Sequence, residues 1–170
     1  MTGAVVWLTG LPSSGKSTLA RAVQERLLSK GTSACTLDGD SLRTIIAPTL
    51  GYSDDERRQF YAALARLAAE LARQGLVVLV PATAHLKEYR QTARQLATRF
   101  IEVWVTTPLA ECQRRDPKGL YEAAATTPGF LPGIHVRYEE PEHPEVLANG
   151  GEDAGAVDRI VGLVALGAAR

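Results

Sequence analysis

The chain has 170 residues, 45% of them apolar and 22% charged, the balance of one ordinary globular domain and not of a disordered chain. Nineteen Lys plus Arg offset nineteen Asp plus Glu, so the bulk charge points to neither nucleic acid nor an anionic membrane surface as a partner. No run approaches the roughly 20 apolar residues of a bilayer span, and MTGAVVWLTG at the start carries no basic leader or cleavage-like site, so a cytoplasmic protein with no membrane partner is expected.

Taken in chain order, residues 4–9 (AVVWLT) form a short continuous apolar run that suits a strand buried on both faces. GKSTLARAVQERLLSKG then sets Leu19, Val23, Leu27 and Leu28 at helical spacing and stops at Gly31. A strand is predicted at 33–38 (SACTLD), a helix over about 54–74 with Leu64, Leu67, Ala68 and Leu71 on its apolar face, and a strand at 76–80 (LVVLV). A helix near 86–99, a strand at 100–105 and a short helix at 108–115 follow. From Asp116 to about Pro144, eight Pro and Gly residues from Pro117 to Pro144 break every regular pattern, which marks a functional or mobile stretch. A last strand at 145–148, a solvated NGGEDAG turn and a closing helix over 157–169 complete the chain. Alternating strands and helices imply an α/β fold with a parallel sheet covered on both faces, and no linker divides residues 1–170. Cys35 and Cys112 lack metal-ligand spacing and are expected to be reduced core residues.

The chemistry begins at Gly10, Leu11, Pro12, Ser13, Ser14, Gly15, Lys16 and Ser17, which match GxxxxGK[ST] between a strand and a helix. In such a loop the backbone N–H groups wrap a triphosphate, Lys16 neutralises its β/γ region and the Ser17 hydroxyl ligates magnesium. ATP and Mg2+ are therefore the expected cofactors, on a P-loop NTPase fold. The NKxD motif by which a GTPase reads its base is missing, and motor or transporter ATPases usually need a second domain, so a small phosphoryl-transfer kinase is the remaining expectation. Asp38 and Asp40 stand at the end of the second strand, where ligands of open parallel sheets gather. Asp38 is a candidate to hold magnesium through water, and Asp40 to orient or deprotonate an acceptor hydroxyl.

These residues resemble the adenylylsulfate (APS) kinase family. The resemblance is carried by GLPSSGKST (10–18), LDGDSLR (37–43), GYSDDER (51–57), RDPKGLY (115–121) and YEEPEHPEV (138–146), in the family's order over nearly the whole chain. It implies a P-loop fold, a homodimer, and transfer of the ATP γ-phosphoryl group to the 3'-hydroxyl of adenosine 5'-phosphosulfate, giving PAPS for sulfate assimilation. It adds Thr18 and Arg115 to the ATP-binding residues. It assigns Asp40 to the acceptor hydroxyl, Arg43 to the charged part of the substrate, Tyr52 to the face of its base and Arg57 to the phosphosulfate. Lys118, on a mobile lid over about 116–141, would cross the ATP phosphates and act in catalysis. Phe60, Thr83, Phe130 and Leu131 complete the implied acceptor pocket, although Phe60 also continues the apolar stripe through Leu64, Leu67, Ala68 and Leu71 and reads equally as core.

The acceptor side also departs from the family's pattern. Phe60, Ala62 and Ala63 stand where the family has an Asn and an Arg pair, Ala82-Thr83-Ala84-His85 replaces an FISP-like loop, and Leu131-Pro132-Gly133-Ile134-His135 replaces an FTGID-like turn. His85 is expected at the surface or against substrate. Two further readings stay open: a kinase for another hydroxyl-bearing acceptor such as a cytidine diphosphate derivative, and a non-catalytic nucleotide-binding module that regulates a partner.

Overall fold

The computed structural model describes residues 3–167. Five strands, β1 (Ala4–Thr9), β2 (Ala34–Thr36), β3 (Val77–Pro81), β4 (Phe100–Val105) and β5 (Val146–Ala148), form one sheet in the order β2-β3-β1-β4-β5. Every neighbouring pair is parallel. The seven helices among the described residues are α1 (Lys16–Ser29), α2 (Gly39–Ile46), α3 (Asp54–Arg73), α4 (Lys87–Leu96), α5 (Leu109–Arg115), α6 (Leu120–Thr126) and α7 (Ala154–Leu166).

Strand alternation splits the core into two layers, one on each side of the sheet. Val6 and Leu8 of β1 face a cluster that includes Leu19, Val23 and Leu27 of α1 and Ile160 and Val164 of α7. Val5 and Trp7 face Phe60, Leu64 and Ala68 of α3 and Ala93 of α4. All six residues of β1 are buried, which explains why the sequence there reads as an unbroken apolar run.

The predicted elements are shifted in detail. The strand expected at 33–38 keeps only Ala34–Thr36, and the helix expected at 86–99 is Lys87–Leu96. On α3 the buried stripe is Arg57, Phe60, Tyr61, Leu64, Ala65, Ala68, Ala69 and Ala72, so its centre is rotated toward small residues. Leu71 is half-buried against the same layer, and Leu67 is half-buried too. Alanines let α3 pack close to the sheet, where an apolar count favours the larger leucines. The closing helix starts earlier than expected, at Ala154, and runs to Leu166; residues 168 and 169 of the expected span lie outside those described.

Two helices were not anticipated. Helix α2 begins at the acidic turn itself, because the Asp38 side chain accepts hydrogen bonds from the N–H groups of Asp40 and Ser41 at 3.1 Å, a side-chain N-cap. Helix α6 lies inside the stretch read as irregular. There Asp116 accepts from the N–H groups of Leu120, Tyr121 and Glu122 at 2.8 to 3.0 Å, closing the first turn from outside the helix.

A buried ion-pair network fastens α4 to the sheet and to the chain beyond residue 137. The Arg90 side chain is 3% exposed and donates to Glu102 Oε1 at 2.8 Å, to the carbonyl of Ala84 at 2.5 Å and to the carbonyl of Glu139 at 2.6 Å. Arg94 reaches the other Glu102 oxygen at 3.4 Å and also pairs with Glu145. Removing one partner of such a pair leaves a buried charge without compensation. Arg90→Ala is expected to lower the free energy of unfolding by about 3 to 5 kcal/mol, read from the urea midpoint with the m-value unchanged.

Candidate active site

The parallel sheet delivers the carboxyl ends of its strands to one edge, and the phosphate loop lies there between β1 and α1. Gly15 has φ +102°, and a Cβ on it would sit 2.5 Å from the Gly151 nitrogen. Only glycine fits both that left-handed conformation and the contact with the turn after β5. Thr107, after β4, donates its hydroxyl to the Ser14 carbonyl at 2.7 Å and pins the loop from the other side.

Helix α1 leaves its N-terminus open to an anion. Its N-cap Gly15 gives no side-chain hydrogen bond, and no acidic residue occupies the first turn, so the unpaired N–H groups and the helix dipole face outward together. Lys16 is half-buried as a residue, but its ammonium lies among loop carbonyls, donating to Leu11 O at 2.7 Å and Gly10 O at 3.1 Å. Desolvation there pulls its pKa down from 10.5 to about 8, with Asp40 the largest opposing influence. Across the helix start, Ser17 Oγ donates to Asp38 Oδ2 at 2.9 Å. Two hard oxygen donors at the end of a phosphate loop suit Mg2+, which binds through few protein ligands and completes its shell with phosphate and water.

A cleft of about 580 Å³ opens on the other flank of the loop and is lined by Thr18, Arg114, Arg115, Asn149, Gly150 and Glu152 among others. Its volume suits a nucleoside. Thr18 and Arg115, which the family resemblance puts near ATP, line it together with the turn at 149–155, expected from the sequence to be merely solvated. A glycine-rich turn directly after a parallel strand, at the sheet edge that holds the phosphate loop, was the signal that could have marked it.

The segment from 116 onward is packed down over this edge. Lys118 forms an ion pair with Asp40, which raises the lysine pKa. The Tyr121 hydroxyl donates to the Pro12 carbonyl at 2.9 Å. Arg57, 6% exposed, donates from Nε to Tyr52 O at 2.9 Å, from one terminal nitrogen to Phe130 O at 2.5 Å, and lies 3.4 Å from His85 Nδ1 through the other. Its guanidinium therefore commits up to three of its five N–H groups to the protein's own acceptors. The far end of the segment is anchored where the Tyr138 hydroxyl meets Thr9 Oγ1 at 3.0 Å and the Glu139 N–H donates to His85 O at 2.8 Å.

Two expectations about single side chains change. Phe60, placed in the acceptor pocket, is 2% exposed and presents no surface of its own; α3 turns it inward beneath Arg43, whose guanidinium lies 4.3 Å from its ring centroid. His85 is not at the surface: it is 3% exposed, packs edge-on against Tyr89, and burial beside Arg57 lowers its pKa to about 4, so the imidazole is neutral near pH 7. Thr83 contributes its carbonyl, which accepts from the Thr9 hydroxyl at 2.6 Å. The neighbouring Ala84 is held at φ +41°, a strained conformation fixed by the Tyr61 hydroxyl on its N–H and by Arg90 on its carbonyl. Tyr52 and Phe130 stay exposed at 56% and 54%, the Tyr52 ring with the Arg43 guanidinium 4.6 Å from its centroid, and Leu131 is half-buried beside Phe130.

A phosphate loop on β1, an acidic turn after β2 and a segment that brings Lys118 over both define the chain as a P-loop kinase. The family model for adenylylsulphate kinase matches residues 2–149. The chain is 44% identical over 151 residues to the adenylyl-sulfate kinase of Enterobacter sp. (strain 638), covering 87% of this chain and 75% of that protein. It superposes on the APS kinase CysC of Mycobacterium tuberculosis, solved in complex with AMPPNP and APS, with TM-score 0.89 and 38% identity over 96% of this chain and 98% of that one. The hexameric APS kinase from Thiobacillus denitrificans matches with TM-score 0.66 and 26% identity, over 97% of this chain and 28% of that one. This chain belongs to the adenylylsulphate kinase family.

Because the Lys16 ammonium is the one cation enclosed by the loop, Lys16→Ala is expected to cost at least about a hundredfold in turnover, measured as ADP release. In the unmodified protein, affinity for a non-hydrolysable ATP analogue should weaken as the pH rises through about 8, where free Lys16 loses its proton. That inflection should vanish in the variant.

Proposed function

We propose that the protein transfers the γ-phosphoryl group of ATP to the 3'-hydroxyl of adenosine 5'-phosphosulfate, giving PAPS and ADP, with Mg2+ as cofactor. The observation that carries this reading is the ion pair joining Lys118 to Asp40. It sets a general base and a mobile cation at one point beside the phosphate loop, and phosphoryl transfer is largely positioning and charge neutralisation.

In this scheme Asp40 orients the acceptor hydroxyl and takes its proton as the oxygen attacks phosphorus. Its side chain is 77% exposed, which leaves it open to an incoming hydroxyl. Lys16 and the α1 N-terminus hold the phosphates, and Lys118 leaves Asp40 for the transferring group, supplying charge as it develops. Ser17 and Asp38 would hold Mg2+, which when bound would neutralise phosphate charge. The cleft between Thr18 and Asn149 takes the ATP nucleoside, with Arg115 at its wall. On the acceptor side Tyr52 offers its ring to the base, Arg43 meets the anionic end, and Phe130 and Leu131 cover the opening. The segment 116–141 acts as the lid, excluding water that would otherwise hydrolyse ATP.

A homodimer and a cytoplasmic location complete the reading on the family resemblance; no helix among the described residues is long and apolar enough to cross a membrane. An acceptor panel tests the proposal. ADP release should be stimulated by APS far above other nucleotides and simple alcohols, with PAPS formed in equal amount. Stimulation by a cytidine diphosphate derivative with none by APS would move the assignment to that acceptor, and ATP binding without stimulation by any acceptor would make the protein a nucleotide-binding module.

A further inference from the structure

We infer that Phe60 is a positioning residue that sets acceptor affinity by holding Arg43 on an aromatic clamp; this rests on the reading above, in which Arg43 meets the anionic end of the acceptor. The Arg43 guanidinium carbon lies 4.3 Å from the Phe60 ring centroid and 4.6 Å from that of Tyr52. Both distances fall within cation–π range. Phe60 is 2% exposed and meets Tyr61 edge-on at 5.4 Å, so its ring is a fixed platform. One Arg43 nitrogen donates to the Gly51 carbonyl at 2.7 Å, which fixes the rotation of the guanidinium on that platform.

The kind of partner matters as much as the contact. Among the described residues no carboxylate forms an ion pair with Arg43, whereas eight other arginines have such partners. An acidic partner would orient the guanidinium but also neutralise it. A ring orients it through the quadrupole and leaves its full charge for an anion. The contact also spans two elements, since Arg43 rises from α2 and Phe60 from α3, so the clamp keeps the short α2 in register with the helix that carries Arg57. An amide or aliphatic side chain at position 60 would offer no such face.

The test replaces Phe60 with its 4-fluoro, 3,5-difluoro and 3,4,5-trifluoro analogues, which keep the shape of the ring while draining its negative face. The KM for APS should climb stepwise to about five- to thirtyfold for the trifluoro ring, the size of one lost cation–π contact. The KM for ATP and the melting temperature should stay in place, a pattern that simple loss of packing does not produce. A KM for APS that is flat across the series overturns the inference. Should the unmodified enzyme release no ADP with APS, the functional reading fails first, and the Arg43 Nε–H resonance then decides the clamp. A ring-current displacement that shrinks in Phe60→Leu upholds it, and a resonance indifferent to that change refutes it.

Discussion

A sheet whose strands all run parallel has only one edge at which its strand ends converge, and the rest of this molecule follows from that constraint. The phosphate loop follows β1, the acidic turn follows β2, Thr83 to His85 follow β3, Thr107 follows β4 and Asn149 follows β5. Crossover helices cover both faces, so the strands are almost wholly apolar and the chemistry is confined to the connections. The loops then hold one another: Gly15 against Gly151, Thr107 on Ser14, Thr9 on Thr83, Ser17 on Asp38. Few of these contacts are strong alone. Together they fix the phosphate cradle before any ligand arrives, which is the preorganisation that electrostatic catalysis requires.

Over this rigid edge lies a segment fastened by a small number of polar contacts. Its distal end is tied to α4 through Arg90, to β1 through Tyr138 and to the turn after β3 through Glu139. Its proximal half touches the site through Lys118 and Tyr121, and its middle through Arg57. The contrast suits a lid. A buried anchor such as Arg90 with Glu102 resists opening, whereas the Lys118–Asp40 pair, with side chains 59% and 77% exposed, is worth little in water and can exchange partners readily. His85 belongs to the anchored part, since its neutral ring accepts from Arg57 instead of competing with it as a second cation.

Strand β1, the loop and α1 were legible because each rests on local rules: an apolar run, a glycine motif and helical spacing. Helices α2 and α6 were hidden for local reasons too. The α2 stretch GDSLRTII mixes Gly, Asp, Thr and Ile, poor helix formers, and depends on its Asp38 cap, while α6 is flanked by the Pro and Gly residues that argue against helix. On α3 the expected face held at Leu64 and Ala68, while its edge turned so that Ala65, Ala69 and Ala72 are buried and Leu67 and Leu71 only half-buried. Long-range partnerships left no trace in spacing, so neither Arg90 with Glu102 nor Phe60 beneath Arg43 could be seen. The apolar change at position 60 was visible in the sequence; its partner was not.

The decisive claim is that the lid lysine and the carboxylate of the acidic turn act on one reaction centre. A double-mutant cycle on kcat/KM for APS, built from Lys118→Ala, Asp40→Asn and their combination, measures it directly. Groups that work as a unit are lost together, so the double variant should fall no more than about threefold below the weaker single variant. Losses that simply multiply would mean that the two residues act independently, and that their ion pair is a surface contact with no part in the transfer.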